Sequence, residues 1–274
     1  MDNKNYIELI ARELQLPQRG VGNTLQLLDE GCTIPFISRY RKERTGGFDE
    51  VQIAAISDRY ERLKETSKRK ETILSTIETQ GKLTDELRHR IDHCWDSTEL
   101  EDIYLPFKPK RRTRAQVARE QGLEPLSVIL MMQRERKPEE AARRFVGDKV
   151  KDVKAAIKGA QDIIAETVSE DEQSRNQLRA VFRREAVITA KVVKTKADTE
   201  EAAKFADYFD FSEPLRRCSS HRLLAIRRGE SEGILRVSIS PNDDQAAERI
   251  KRQYVHGYSP CGTLVGEAVD DAYK

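Results

Sequence analysis

Asp49–Gly81 reads DEVQIAAISDRYERLKETSKRKETILSTIETQG. An aspartate opens the stretch and a glycine closes it, with no proline or glycine between them. This predicts one long helix over 49–80, with Asp49 as its N-cap. Ile53, Ile56, Tyr60, Leu63, Leu74 and Ile77 fit alternating helical steps along one face. Ser67 and Lys70 stand where further apolar residues belong, so the seam is interrupted midway. A coiled coil needs unbroken heptads. A long helix with a broken seam predicts a strut that packs at both ends.

Outward from this strut the punctuation is helical. Ile7, Ile10, Ala11 and Leu14 share a face before Pro17, and a short helix with Leu25 and Leu28 closes at Gly31. Thr33 and Pro35 form a cap and first turn for IPFISRYRKER, which stops at Gly46-Gly47. These glycines are read as a turn, since the Asp49 carboxylate at the helix mouth would repel a phosphate. Further helices are predicted over 84–94, with Leu87, Ile91 and Cys94 inward, and over 97–104. Thr113 to Gln116 and Ser169 to Glu172 read as capping boxes. Val153, Ile157, Ala160, Ile164 and Val168 make a stripe between them. After about residue 187 the texture changes: AVITAKVVK is rich in β-branched residues, and GILRVSIS alternates as a half-buried strand does. The fold class expected is mainly α, a multi-helix array around one long helix, with minor β near 187–195 and 234–239. The chain closes on helical residues without a cap, which suggests a piece of a longer protein.

Charged residues make up 35 % of the 274, and mean hydropathy is −0.70, yet 38 % are apolar and periodic. This describes a helical protein with wide polar faces, not a disordered chain. Lys plus Arg number 49 against 47 acids, so any attraction for nucleic acid must come from local clustering. Four dispersed cysteines, none in a CxxC pair, argue against structural zinc and against a disulfide framework. The start MDNKNYIELI lacks the apolar core of a signal peptide, and no segment approaches a membrane span. A reduced, cytoplasmic location is expected.

Two basic stretches are the candidate sites. YLPFKPKRRTR carries Lys108, Lys110, Arg111, Arg112 and Arg114 with no acid among them. Pro106 and Pro109 disfavour helix before them, so these cations are expected on a stiff extended connector. Three readings stay open: contact with nucleic-acid phosphates, contact with an acidic protein surface, or a solvated loop paired with acids such as Glu101 and Asp102. The second stretch, SRYRKERTGG, sets Arg39, Arg41, Lys42 and Arg44 around Tyr40. Arginine with tyrosine suits base stacking as well as phosphate contact; the plainer reading is a wet basic face with Tyr40 turned inward.

His89 and His93 stand one helical turn apart beside Cys94, but opposite the face defined by Leu87 and Ile91. They are expected in solvent, not on a metal. No nucleotide loop, nucleophile elbow or HExxH motif occurs, and the acids at Asp96, Glu99, Glu101 and Asp102 read as caps and helix surface. Neither an enzyme nor a cofactor is expected.

The stretches GCTIPFISRYRKERTGGFDEVQI, QGKLTDEL, LEDIYLPFKPKRRTRAQVAREQGLEPL, DYFDFSEPL and HRLLAIRRGESEGILRVSI together resemble the Tex family of bacterial transcription accessory proteins. That resemblance implies an N-terminal helical region of helix-turn-helix character over 1–190. It also implies a mixed segment over 191–274 that leads to an RNase H-like domain outside this sequence. It implies RNA or DNA as partner, with RNA polymerase or ribosome-associated machinery as protein partners. The function expected is non-enzymatic, sequence-independent backbone binding. The rival is a helical scaffold that docks on the transcription machinery and binds no nucleic acid. A nuclease has behind it only the related fold of the absent domain.

Overall fold

The computed structural model describes residues 3–109 and 111–274. It is mainly α, and its helices divide between two compact units, 1–108 and 109–274.

The first unit is organised by a helix that holds two cores. In chain order it contains α1 (Asn3–Leu14), α2 (Gln18–Asp29), α3 (Ile34–Tyr40), α4 (Lys42–Thr45), α5 (Glu50–Thr79), α6 (Asp85–His93) and α7 (Ser97–Tyr104). Asp49 caps α5 by accepting from the Gln52 N–H at 2.7 Å, and the Gln52 amide accepts in return from the Asp49 N–H at 3.1 Å. Thirty residues give α5 a length of about 45 Å. Its first half buries Ile53, Ile56, Tyr60 and Leu63 among Ile10, Val21, Leu25 and Ile37 of α1–α3. Its second half buries Ile73 and Ile77 against Ile91, Leu100, Ile103 and Tyr104 of α6 and α7. Each such side chain removed from water contributes about 1.5–3 kcal/mol.

The seam between these cores differs from the expected one in phase and in content. Thr66, not Ser67, and Ile73, not Leu74, continue the steps from Leu63 to Ile77. Lys70 is no gap: it is only 2 % exposed. Its ammonium donates to the Asp92 carbonyl at 2.7 Å and lies 3.5 Å from the centroid of the Trp95 ring. The long aliphatic stem fills the seam while the charge finds a carbonyl and a π-face. Burial pushes the Lys70 pKa down from its ordinary value.

Local departures elsewhere have physical causes. IPFISRYRKER is two helices, because the chain bends at Arg41 (φ −131°, ψ 26°) and lets Thr45 of α4 reach the interior beside α2. Gly20 makes that approach possible: a Cβ there would lie 2.5 Å from the Thr45 carbonyl oxygen and 2.6 Å from the Phe48 ring.

The second unit continues with α8 (Arg114–Glu120), α9 (Glu124–Met132), α10 (Pro138–Arg143), α11 (Val153–Glu170) and α12 (Glu172–Glu185). Strands β1 (Val187–Val192), β2 (Asp210–Pro214) and β3 (Leu235–Ser240) enclose α13 (Glu200–Ala203) and α14 (Ser220–Ser231) in sequence. Helices α15 (Asp243–Tyr254) and α16 (Pro260–Tyr273) follow. α11 is central: Ala156, Ala160, Ile164 and Val168 share one core with Leu123, Leu126 and Leu130 and with Val265 and Val269 of α16. The change of texture near residue 190 therefore marks the start of the sheet, inside this unit. The strands are antiparallel in the order β2-β1-β3, with Ile188 and Ala190 fully buried under α14. The cap of α12 is Asp171, which accepts from the Ser174 N–H at 2.7 Å, whereas the Ser169 hydroxyl bonds back to the Glu166 carbonyl inside α11. Likewise Thr113 accepts from the Gln116 N–H at 3.0 Å, but the Gln116 amide turns to Glu120 and leaves the box half made.

If Lys70 completes the seam, Lys70→Ala loses about 2–4 kcal/mol in urea unfolding, from the cavity and the orphaned Asp92 carbonyl. Lys68→Ala, on the exposed side of the same helix, stays within about 0.5 kcal/mol. Equal effects at both positions would place Lys70 in solvent.

Candidate nucleic-acid interface

The stretch 39–44 sits on two short helices whose inner and outer sides differ sharply. Ile37 and Ser38 of α3 are buried. The outer side carries Phe36, 37 % exposed, and Tyr40, 63 % exposed, one helical turn apart. Their ring centroids are 5.4 Å apart, and the Arg41 guanidinium lies 5.1 Å from the Phe36 centroid. Tyr40 therefore does not turn inward. The bend at Arg41 carries Arg39 and Lys42 into solvent on either side of it. Among the described residues none of Arg39, Arg41 and Lys42 has an ion-pair partner, although Glu43 is exposed beside them. Arg44 differs: it donates to the Gln26 side chain at 3.2 Å, lies 3.8 Å from the Glu30 carboxylate, and its carbonyl accepts from Asn23. It braces α4 on α2.

The second stretch is divided by its surroundings. Lys108, in the first unit, is exposed after the turn Leu105–Phe107, whose last carbonyl accepts from Gln80 at 2.7 Å. Phe107 itself packs against the α6–α7 core. Lys110 lies outside the described residues. In the second unit Arg111 is exposed with no ion-pair partner among the described residues, while Arg112 donates to the Glu120 carboxylate at 2.6 Å. Arg114 donates to Asp271 at 2.9 Å and lies 3.7 Å from Asp162. Lys158 reaches the same two carboxylates, at 3.5 and 3.4 Å. Two cations and two acids thus close a cluster that ties α8 to α11 and α16. Of the acids proposed as partners of the run, Glu101 lies within electrostatic reach of Lys108, although Arg69 acts on it more strongly. Glu101 takes both hydrogen bonds of Arg69, which hold its carboxyl below the ordinary value, and Asp102 is buried.

Sequence reasoning missed Phe36, whose only signal was its spacing from Tyr40. It also missed Lys149, which approaches the Glu120 carbonyl from a distant turn at 3.4 Å. His89 and His93 are exposed, with rings stacked at 4.0 Å, away from buried Ile91 and Cys94. Among the described residues no group of three or more His, Cys, Asp or Glu is placed to hold a metal ion, and no helix is long and apolar enough to cross a membrane.

A family model described as Tex-like protein N-terminal domain matches residues 4–78, and one described as Tex central region-like matches 133–265. The chain belongs to the Tex family. It is 41 % identical over 250 residues to the transcriptional accessory protein Tex of Neisseria gonorrhoeae, covering 91 % of this chain and 33 % of that one. It is 45 % identical over 256 residues to protein YhgF of Escherichia coli, covering 93 % and 33 %. The S1 RNA-binding domain-containing protein 1 of Homo sapiens is 27 % identical over 249 residues, covering 88 % and 25 %. The chain thus spans about a third of the length of the bacterial Tex relatives it matches.

Burial pushes the Asp271 carboxyl up, but Lys158 and Arg114 overcome it and hold the pKa below the ordinary 3.8. A depressed carboxylate stabilises the fold above its unfolded pKa, and that contribution is lost as pH falls through the folded value. Arg114→Ala therefore raises the Asp271 pKa in an NMR titration and moves acid unfolding to higher pH. An unchanged Asp271 would mean that Arg114 is free in solution.

Proposed function

We propose that this chain is a non-enzymatic, cytoplasmic part of a transcription accessory factor that holds RNA or DNA by its backbone without reading sequence. The observation that carries the reading is the outer face of α3 and α4. There Arg39, Arg41 and Lys42 stand around two exposed rings with no ion-pair partner among the described residues. Unpaired cations meet phosphates, which encode no sequence, and a solvent-facing ring accepts any base. Arg44 and Arg114 are braces and take no part. Among the described residues of the second stretch, Lys108 and Arg111 are exposed and have no ion-pair partner, although the Lys108 charge reaches Glu101. The names of the relatives are consistent with this reading: a transcriptional accessory protein and an S1 RNA-binding domain-containing protein.

The test is fluorescence anisotropy of labelled single-stranded RNA and duplex DNA against the chain across a salt series. Three phosphate contacts on a single strand give a log–log slope of about −2. The Arg39→Glu, Arg41→Glu, Lys42→Glu variant abolishes that binding with its helicity intact. Tyr40→Ala weakens single-strand binding about tenfold and leaves the salt slope unchanged, because stacking releases no counterions. No binding at low salt would overturn the reading in favour of the helical scaffold that docks on protein.

A further inference from the structure

The segment between α10 and α11 folds back on itself. Gly147 and Val150 exchange both backbone hydrogen bonds at 3.0 Å, and Val150 is buried in the α11 core. A pinned tight turn of this kind projects its two central residues, Asp148 and Lys149, into solvent. Lys149 extends toward the C-terminal end of α8, where its ammonium lies 3.4 Å from the Glu120 carbonyl. Arg112 reaches the carboxylate of the same glutamate at 2.6 Å. Two cations separated by 37 positions in the sequence (112 to 149) therefore converge on one residue, Arg112 on its carboxylate and Lys149 on its main-chain carbonyl, and the single carboxylate, whose pKa both cations lower, cannot neutralise both. Arg111 adds a charge beside Arg112 that has no ion-pair partner among the described residues.

Lys151, at the other end of the turn, is 84 % exposed and 3.9 Å from Asp152. Asp152 caps α11 with its other carboxylate oxygen, accepting from the Ala155 N–H at 2.7 Å, so its contact with Lys151 is a long, exposed ion pair. Asp148 is the exposed acid of the turn itself, in addition to Glu120 and Asp152, which Arg112 and Lys151 already approach.

We infer that the Gly147–Val150 turn is a phosphate-backbone contact of the second unit, in which Lys149 and Lys151 join Arg111 and Arg112 to hold a nucleic-acid strand. The inference rests on the nucleic-acid reading above and moves the second contact away from the linear run 108–114. Arg114, held by Asp162 and Asp271, is outside it. The turn suits the purpose because its backbone is pinned while its lysines stand exposed on long stems with only weak contacts: a rigid base displays point charges that can follow an irregular backbone.

The measurement is anisotropy of a fluorescein-labelled single-stranded oligonucleotide titrated with the whole chain across a salt series. The proteins compared are wild type, Lys149→Gln with Lys151→Gln, Lys151→Gln alone, Asp148→Asn and Arg114→Gln. Each lysine removed flattens the log–log slope by about 0.7 and weakens binding at low salt. Asp148→Asn strengthens binding, and Arg114→Gln leaves the slope unchanged. Lys151 holds no helix end, so its single variant separates lost contact from any loosening of α8; circular dichroism checks the double variant. An unchanged slope and affinity in the double variant, with binding still abolished by the Arg39, Arg41 and Lys42 charge reversal, would overturn this inference and leave the nucleic-acid reading standing. No binding by wild type at low salt would overturn both.

Discussion

Lys70 places an ammonium in the middle of a thirty-residue helix, and the arrangement of the first unit follows from how that charge is accommodated. A buried cation with no acceptor would destabilise the fold by several kcal/mol. The Asp92 carbonyl at the end of α6 and the ring of Trp95 remove that cost, so they must be brought against α5 at one height. Once they are, α6 and α7 are set against the second half of the helix. The first half remains for α1, α2 and α3. Two small cores share one strut with a polar junction between them. A leucine at position 70 would fill the seam equally well, but it would not specify what packs beside it.

Much of this was legible from residue order. The Asp49 cap, the Gly81 stop, the two-ended packing of α5, the α11 stripe, and strands β1 and β3 are each local patterns, and each is present. What was not legible depended on distant partners. A lysine in a seam reads as a gap, because periodicity cannot tell a solvated ammonium from one that meets a carbonyl 22 residues away. β2 has only five residues, with Asp210, Ser212 and Pro214 outward, and an edge strand of that kind shows no apolar alternation. The destination of Arg114 lies 157 residues along the chain.

The same distinction sorts the candidate interface. Nine basic positions look alike in the sequence, yet their surroundings differ. Arg44 and Arg114 fasten one helix to another, Lys110 is outside the described residues, and Arg39, Arg41 and Lys42 stand beside exposed rings with no ion-pair partner among the described residues. In a chain with almost equal numbers of acids and bases, the informative property of a cation is whether an acid has already taken it. By that criterion α3 and α4, and not the longer basic run, form the more available surface. A bent pair of helices achieves this: the break at Arg41 lets one side anchor through Thr45 while the other leaves its charges in water.

The central claim is that α3 and α4 form a surface for a nucleic-acid strand. Amide and aromatic NMR shifts of the isotope-labelled chain, followed as a single-stranded oligonucleotide is added, test it most directly. The account predicts shifts at Phe36, Arg39, Tyr40, Arg41 and Lys42, with Arg44 and the Arg114–Asp271 pair quiet. A silent α3, with shifts confined to other helices or absent at saturating oligonucleotide, would contradict it.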